Sequence, residues 1–251
     1  MKKMFSLPIG LGTFLLAMPL YASGYATGEV GKIEASAIVD PVAEWDHLWH
    51  ELLIDIGIMG TIFAILAAYW IFKYRAKSPD DVGSGPTLSR AQMWAWAMVP
   101  AFIFMADDFF LAAKGWTVWN IYRKVPPNAL EVKVTASMWN WEFEYADGTK
   151  STYYVDAKEG EGLVVPVGRP VVLRMTSSDV IHSFGLVRYR LKEDVMPGRI
   201  TYIWFYPKVA EKTFVTCVEY CGTNHANMYA PVRAVPPEEF EQWLKKKGSK
   251  V

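Results

Sequence analysis

Cys217-Val218-Glu219-Tyr220-Cys221-Gly222-Thr223-Asn224-His225-Ala226-Asn227-Met228 places two thiols, an imidazole and a thioether on one short stretch. On either side, residues 212–217 and 229–235 alternate apolar and polar side chains, as half-buried strands do. The donor-rich stretch is therefore a loop joining two late strands. Upstream, similar runs recur at 131–138, 152–155, 162–167, 171–176, 181–187 and 200–206. Ala146-Asp147-Gly148, Val167-Gly168-Arg169-Pro170 and Met196-Pro197-Gly198 supply turns between them. Many short strands at such spacing predict a β-sandwich or barrel. The chain closes on Pro237-Glu238-Glu239 and, further on, Lys245-Lys246-Lys247-Gly248, the charge order of a short terminal helix within 237–251.

The N-terminal half obeys a different pattern. Residues 52–72 are apolar apart from Asp55 near their start. At about 1.5 Å per residue such a run crosses a hydrocarbon core of roughly 30 Å. A second apolar stretch covers 93–113, interrupted by Asp107-Asp108 and followed by Trp116 and Trp119. The polar, Gly- and Pro-containing residues 78–89 connect the two, so 52–119 is expected to be a two-helix transmembrane hairpin. Lys73, Arg75, Lys77 and Arg90 flank that connection, whereas Lys32 is the only Lys or Arg between Ala22 and Glu51. The positive-inside rule thus puts the hairpin loop in the cytoplasm and the β-rich domain, 120–236, on the other side. Residues 1–24 run from Lys2-Lys3 through an apolar centre to Ala22-Ser23-Gly24, the order of a signal peptide, with an uncleaved helix as the alternative. Residues 25–51 would then form an extracytoplasmic segment.

Composition agrees. Apolar types make up 52% of the 251 residues, and 26 basic residues balance 26 acidic ones. A neutral chain without a basic patch gives no footprint for nucleic acid, while 11 Trp and 13 Tyr suit membrane belts and interfaces.

Only two cysteines and four histidines occur, so few metal sites can be built. Cys217 and Cys221 could pair as a disulfide in an oxidising compartment. Two Cys with His182 and His225 could also hold zinc, but Met228 is a poor zinc ligand. A copper electron-transfer site on a β-sandwich needs a remote His followed by Cys, His and Met on one late loop. His182, at the start of an earlier strand, supplies the remote imidazole. The second thiol, four residues from the first, allows both sulfurs to bridge two ions, each with its own imidazole. The joint pattern favours copper. His47 and His50, one turn apart, read instead as an exposed helix start.

These residues resemble subunit II of the haem–copper cytochrome c oxidases over about 43–244. Val180-Ile181-His182-Ser183-Phe184, Pro197-Gly198-Arg199 and the cysteine loop occur in that family's order. Trp139-Asn140-Trp141-Glu142-Phe143-Glu144-Tyr145 looks like the aromatic segment before the copper domain's core, and Trp96 and Pro100 match the second helix. The resemblance implies a helical hairpin followed by a cupredoxin-like Greek-key β-sandwich. It implies a binuclear copper A centre in which Cys217 and Cys221 bridge, His182 and Met228 complete one copper, and His225 with the Glu219 carbonyl completes the other. The Glu219 carboxylate would reach a magnesium ion shared with the large subunit. Electrons from cytochrome c or a small copper protein would enter at Trp139 and leave for a haem in subunit I, where oxygen is reduced and protons are translocated. The membrane would be the bacterial cytoplasmic membrane. Other readings are the copper A subunit of a nitric oxide reductase and a membrane-tethered copper-delivery domain. Departures from the family pattern are Asn140 in place of a tyrosine, the absence of a glutamate from Arg90-Ala91-Gln92-Met93, and Tyr189-Arg190 in place of a smaller, more apolar pair.

Overall fold

Asp40 starts the first helix, its carboxylate accepting from the Val42 N–H at 3.1 Å while Pro41 takes the first helical position. There the missing proline N–H removes no hydrogen bond. In the computed structural model, which describes residues 38–83, 85, 87–154 and 159–248, this helix, α1, spans Pro41–Lys73. The leader expected over 1–24 lies outside the described residues. Ser89 and Gln92 form a reciprocal capping box at the start of α2, Arg90–Arg123. Both helices begin earlier or end later than the apolar runs, because their polar first or last turns carry no hydrophobic signal. At about 1.5 Å per residue each is roughly 50 Å long, so each overshoots a hydrocarbon core of roughly 30 Å. They are long and apolar enough to cross a membrane, and their side chains from Leu53 to Phe72 and Met93 to Phe110 stay almost entirely exposed. A Lys114–Glu51 ion pair of 3.0 Å joins them near one end.

The rest of the chain is a β-sandwich. One sheet runs in the order β4 (Glu159–Gly160), β3 (Lys150–Tyr154), β2 (Asn140–Tyr145), β1 (Leu130–Ser137), β6 (Val171–Ser177), β9 (Thr201–Phe205). The other runs β5 (Leu163–Pro166), β11 (Tyr229–Val235), β10 (Glu211–Cys217), β7 (His182–Leu186), β8 (Leu191–Val195). Pairing is antiparallel except for β1 with β6 and β5 with β11. Alternation sends Val132, Val134 and Ala136 of β1, and Trp141, Phe143 and Tyr145 of β2, into one core with Phe184, Leu186, Val215 and Val232. α3, Pro237–Gly248, seals one end by placing Phe240 and Trp243 against Tyr145.

Sandwich and hairpin are fastened together. The Trp204 indole of β9 donates to the Ile121 carbonyl at 2.9 Å, and Lys208 meets Asp40 at 2.6 Å. Arg190 stacks over Trp45, 4.9 Å from its ring centroid, and lies 3.4 Å from Asp46. The outer ends of both helices are thus part of the domain's base.

Candidate metal centre

Three chain segments meet at the other end of the sandwich. β7 begins with His182 and β10 ends with Cys217, and the two strands are neighbours, with Cys217 opposite Phe184. The Cys217 N–H donates to the Met228 carbonyl at 2.9 Å, so the loop leaves and returns on one rung of the β10–β11 ladder. Val218 N–H bonds the Ser183 carbonyl at 3.0 Å, holding the loop's first residue on β7. Gly185 permits this approach: a Cβ there would stand 2.7 Å from a Val218 methyl. Further along, the His225 N–H bonds the Gly222 carbonyl, and His225–Asn227 makes a single 3-10 turn.

This frame gathers six of the residues expected from sequence. The two sulfurs are free thiols 3.7 Å apart. His182 Nδ1 lies 3.8 Å from Cys217 Sγ, and His225 Nδ1 lies 3.5 Å from Cys221 Sγ. Met228 Sδ is 3.7 Å from Cys221 Sγ, and the Glu219 carbonyl oxygen is 3.1 Å from Cys217 Sγ. His182, Cys217, Cys221 and Met228 are buried, whereas the Glu219 side chain is exposed. Each sulfur therefore has an imidazole of its own.

The two thiols titrate in opposite directions. Burial pushes Cys217 up, but the His182 hydrogen bond and backbone bonds at Ser183 and Glu219 outweigh it and bring the thiol down to about 6. Burial and the neighbouring Cys217 sulfur push Cys221 up to about 12. A second thiolate beside the first needs positive charge between them, which a proton or a metal ion can supply. The donor set fits copper. Sulfur and imidazole are soft or borderline ligands, unlike the oxygen shell that Mg²⁺ or Ca²⁺ requires. Zinc would be satisfied by the two Cys and two His alone. That would leave the buried Met228 thioether, aimed at Cys221, without a part.

The seventh expected residue, Trp139, sits just beside the cluster. It follows β1 in the β1–β2 turn, half-buried, and a Cβ on Gly222 would stand 3.3 Å from its indole Cζ2. Val180, Ile181 and Met138 are exposed on the neighbouring segments. Trp141, from the same aromatic stretch, is fully buried and sets its ring edge-on to His182, with centroids 6.1 Å apart.

Two residues here were not singled out from sequence. Tyr220 is exposed and lies over His225, ring centroids 5.7 Å apart. Asp179 holds the outer nitrogen of His182, with Oδ1 2.9 Å from Nε2. Burial pushes this carboxyl up, but bonds from His182 and the Met138 and Val180 N–H groups outweigh it and hold it below the usual range. An acid three residues before a candidate His ligand was the available signal.

Residues 130–235 match the family model described as cytochrome c oxidase subunit II, periplasmic domain. The chain belongs to the cytochrome c oxidase subunit II family. It is 29% identical over 232 residues to the alternative cytochrome c oxidase subunit 2 of Bradyrhizobium diazoefficiens, covering 81% of this chain and 82% of that one. Cytochrome c oxidase subunit 2 of Cereibacter sphaeroides is 28% identical over 236 residues, covering 81% of this chain and 76% of the relative. Among solved structures, the periplasmic domain of a Bradyrhizobium japonicum subunit II is 31% identical. That likeness covers 51% of this chain and 99% of the other at a TM-score of 0.47. In this subunit II, the matched domain contains all six clustered residues and Trp139.

Proposed function

We propose that this chain accepts electrons from cytochrome c or a small copper protein and passes them to a haem in the large subunit of an oxidase. The carrier is a binuclear copper A centre held by His182, Cys217, Glu219, Cys221, His225 and Met228. What carries this reading is the pairing of each of two sulfurs, 3.7 Å apart, with its own imidazole. Copper held by these residues would supply a one-electron carrier.

The residues around that carrier do the rest. Cys217 and Cys221 would provide the sulfur donors, and the rung between Cys217 and Met228 fixes where the loop leaves and returns. Trp139 against Gly222 offers an aromatic contact at the surface for the donor. On the same loop the Glu219 side chain is exposed and His225 is half-buried. We assign the exposed side of the loop to the large subunit, with Glu219 reaching a magnesium ion at the boundary. Oxygen reduction and proton translocation belong to that partner. The domain lies outside the cytoplasmic membrane, with the α1–α2 loop inside, as the basic residues around the loop require.

The test is metal analysis of the full chain purified in detergent and loaded with copper under reducing conditions. Two coppers per chain and a seven-line hyperfine pattern in the half-oxidised form are expected. One copper with a four-line pattern would sink the binuclear centre. Ready transfer of its copper to an acceptor apoprotein would favour a delivery role instead.

A further inference from the structure

From the last residue of β6 to the start of β7, the segment Ser177-Ser178-Asp179-Val180-Ile181 leads into His182. Its Asp179 carboxylate meets four polar groups. Asp179 Oδ1 is 2.9 Å from His182 Nε2, accepts the Val180 N–H at 2.6 Å and lies 3.1 Å from Ser177 Oγ. Oδ2 accepts the Met138 N–H at 2.6 Å. One side chain thus joins the histidine of β7 to the backbone of the β1–β2 turn.

The geometry fixes more than position. His182 turns Nδ1 toward Cys217 Sγ and Nε2 toward Asp179. A carboxylate accepts and cannot donate, so Nε2 carries a proton and Nδ1 is the nitrogen left to face a metal. Trp141 packs edge-on to the same ring, centroids 6.1 Å apart. The second oxygen holds the amide that immediately precedes Trp139. Trp139 therefore connects to His182 through Met138 N–H, one carboxylate and Nε2–H, without a gap wider than a hydrogen bond.

We propose that Asp179 is a positioning residue. It fixes the His182 ring and tautomer for the metal, and it joins that ligand to the Met138–Trp139 turn where electrons enter. This rests on the copper reading above. The negative charge, delivered through the imidazole, also makes His182 a more basic ligand and favours the oxidised centre. Outer partners of this kind change metal affinity by about 10–100-fold when removed.

The test compares Asp179→Asn and Asp179→Glu with the natural residue in the full, copper-loaded chain. Asp179→Asn should lose copper to a chelator about tenfold faster or more. Its reduction potential should rise, since a negative charge behind the ligand has gone. Asp179→Glu, which keeps the charge but moves it, should fall between. Circular dichroism of each variant checks the fold. If Asp179→Asn does not fold, faster copper loss from Asp179→Glu than from the natural chain carries the same prediction. Retention and potential unchanged in a folded Asp179→Asn chain would overturn the proposal. So would an effect confined to the salt dependence of donor association, the behaviour of an acid that merely attracts its partner. Failure of the natural chain itself to bind two coppers would refute the copper reading, a separate result.

Discussion

Arg123 and Glu193 face each other across the seam between helix and sandwich, Nη1 to Oε1 at 3.1 Å and Nη2 to Oε2 at 2.6 Å. Nη1 also donates to the Tyr202 carbonyl at 3.1 Å, and the guanidinium lies 4.1 Å from the Trp119 ring centroid. The last turn of α2 is thus locked to β8 and β9 by a planar fork that only arginine provides.

Arg123→Ala should leave the largely buried Glu193 carboxylate without its partner. A charge-assisted bond of this kind is worth about 2 kcal/mol, seen as a melting temperature lowered by several degrees. Arg123→Lys should recover less than half of that, because an ammonium lacks the second bond and the stacking. Thermal denaturation of the full chain with a Glu193→Gln double-mutant cycle measures the coupling. Strictly additive effects would show that the fork contributes nothing.

Cys221→Ser removes one of the two sulfurs while leaving His182, Cys217 and Met228 in the frame. Copper stoichiometry should fall to one per chain or less, with loss of the seven-line pattern. Retention of two coppers would mean that Cys221 is not a bridge.

Trp139→Ala should leave copper content and spectrum unchanged while slowing transfer from the soluble donor by roughly tenfold, about 1.4 kcal/mol. Gly222→Ala approaches the same indole from the loop side. At φ +119° an alanine is strained, and its Cβ would press on Trp139 at 3.3 Å. That change should lower stability by about 1–3 kcal/mol and slow donor transfer as well. Stopped-flow kinetics on the assembled oxidase read both. Unchanged transfer in Trp139→Ala would place the donor elsewhere.

At the opposite end, Glu161 accepts a hydrogen bond from the Trp243 indole and lies 3.4 Å from Lys247, anchoring α3. Burial raises its pKa, but Trp243 and Lys247 outweigh it and hold the carboxyl below its ordinary 4.5. A depressed folded-state pKa gives stability that is full above 4.5 and is lost as pH falls through the lower folded value. Trp243 fluorescence should therefore report loosening of α3 only on acidification below about pH 4.5, and Glu161→Gln should flatten that dependence. An acid response unaltered by Glu161→Gln would assign it to another group.

Val82, 91% exposed in the α1–α2 connection, and Val209, 55% exposed in the sandwich, report topology when replaced by cysteine. Against the native thiols as background, an impermeant reagent on intact cells should label Val209→Cys and spare Val82→Cys. The reverse would invert the arrangement.

How much of this was readable in the sequence depended on how local each signal was. The hairpin and β1 were legible because their apolar periodicities are strong and face one environment. β8, Leu191-Lys192-Glu193-Asp194-Val195, was not, since three charged residues mask a strand whose ends alone are buried. β2 was visible as aromatic residues but not as a strand, although Trp141, Phe143 and Tyr145 alternate with polar neighbours. The side-chain cluster was legible because five of its six members are Cys, His or Met, which the sequence places on one loop and one earlier strand. Arg123 was not, because its partner lies 70 residues away, and Asp179 showed only its nearness to His182, since its bond to the Met138 N–H spans 41 residues.

The single rung joining Cys217 to Met228 separates two kinds of information in this chain. Outside it the strands answer to the sandwich and lend His182 to the cluster, while Glu219, Cys221 and His225 lie on the loop between. That loop is tied to its surroundings by the Val218 bond to Ser183 and the approach of Gly222 to Trp139, so its freely exchangeable positions are exposed ones such as Thr223 and Ala226. Changes confined to those positions would alter the surface over the cluster while the β10–β11 ladder stays as it is.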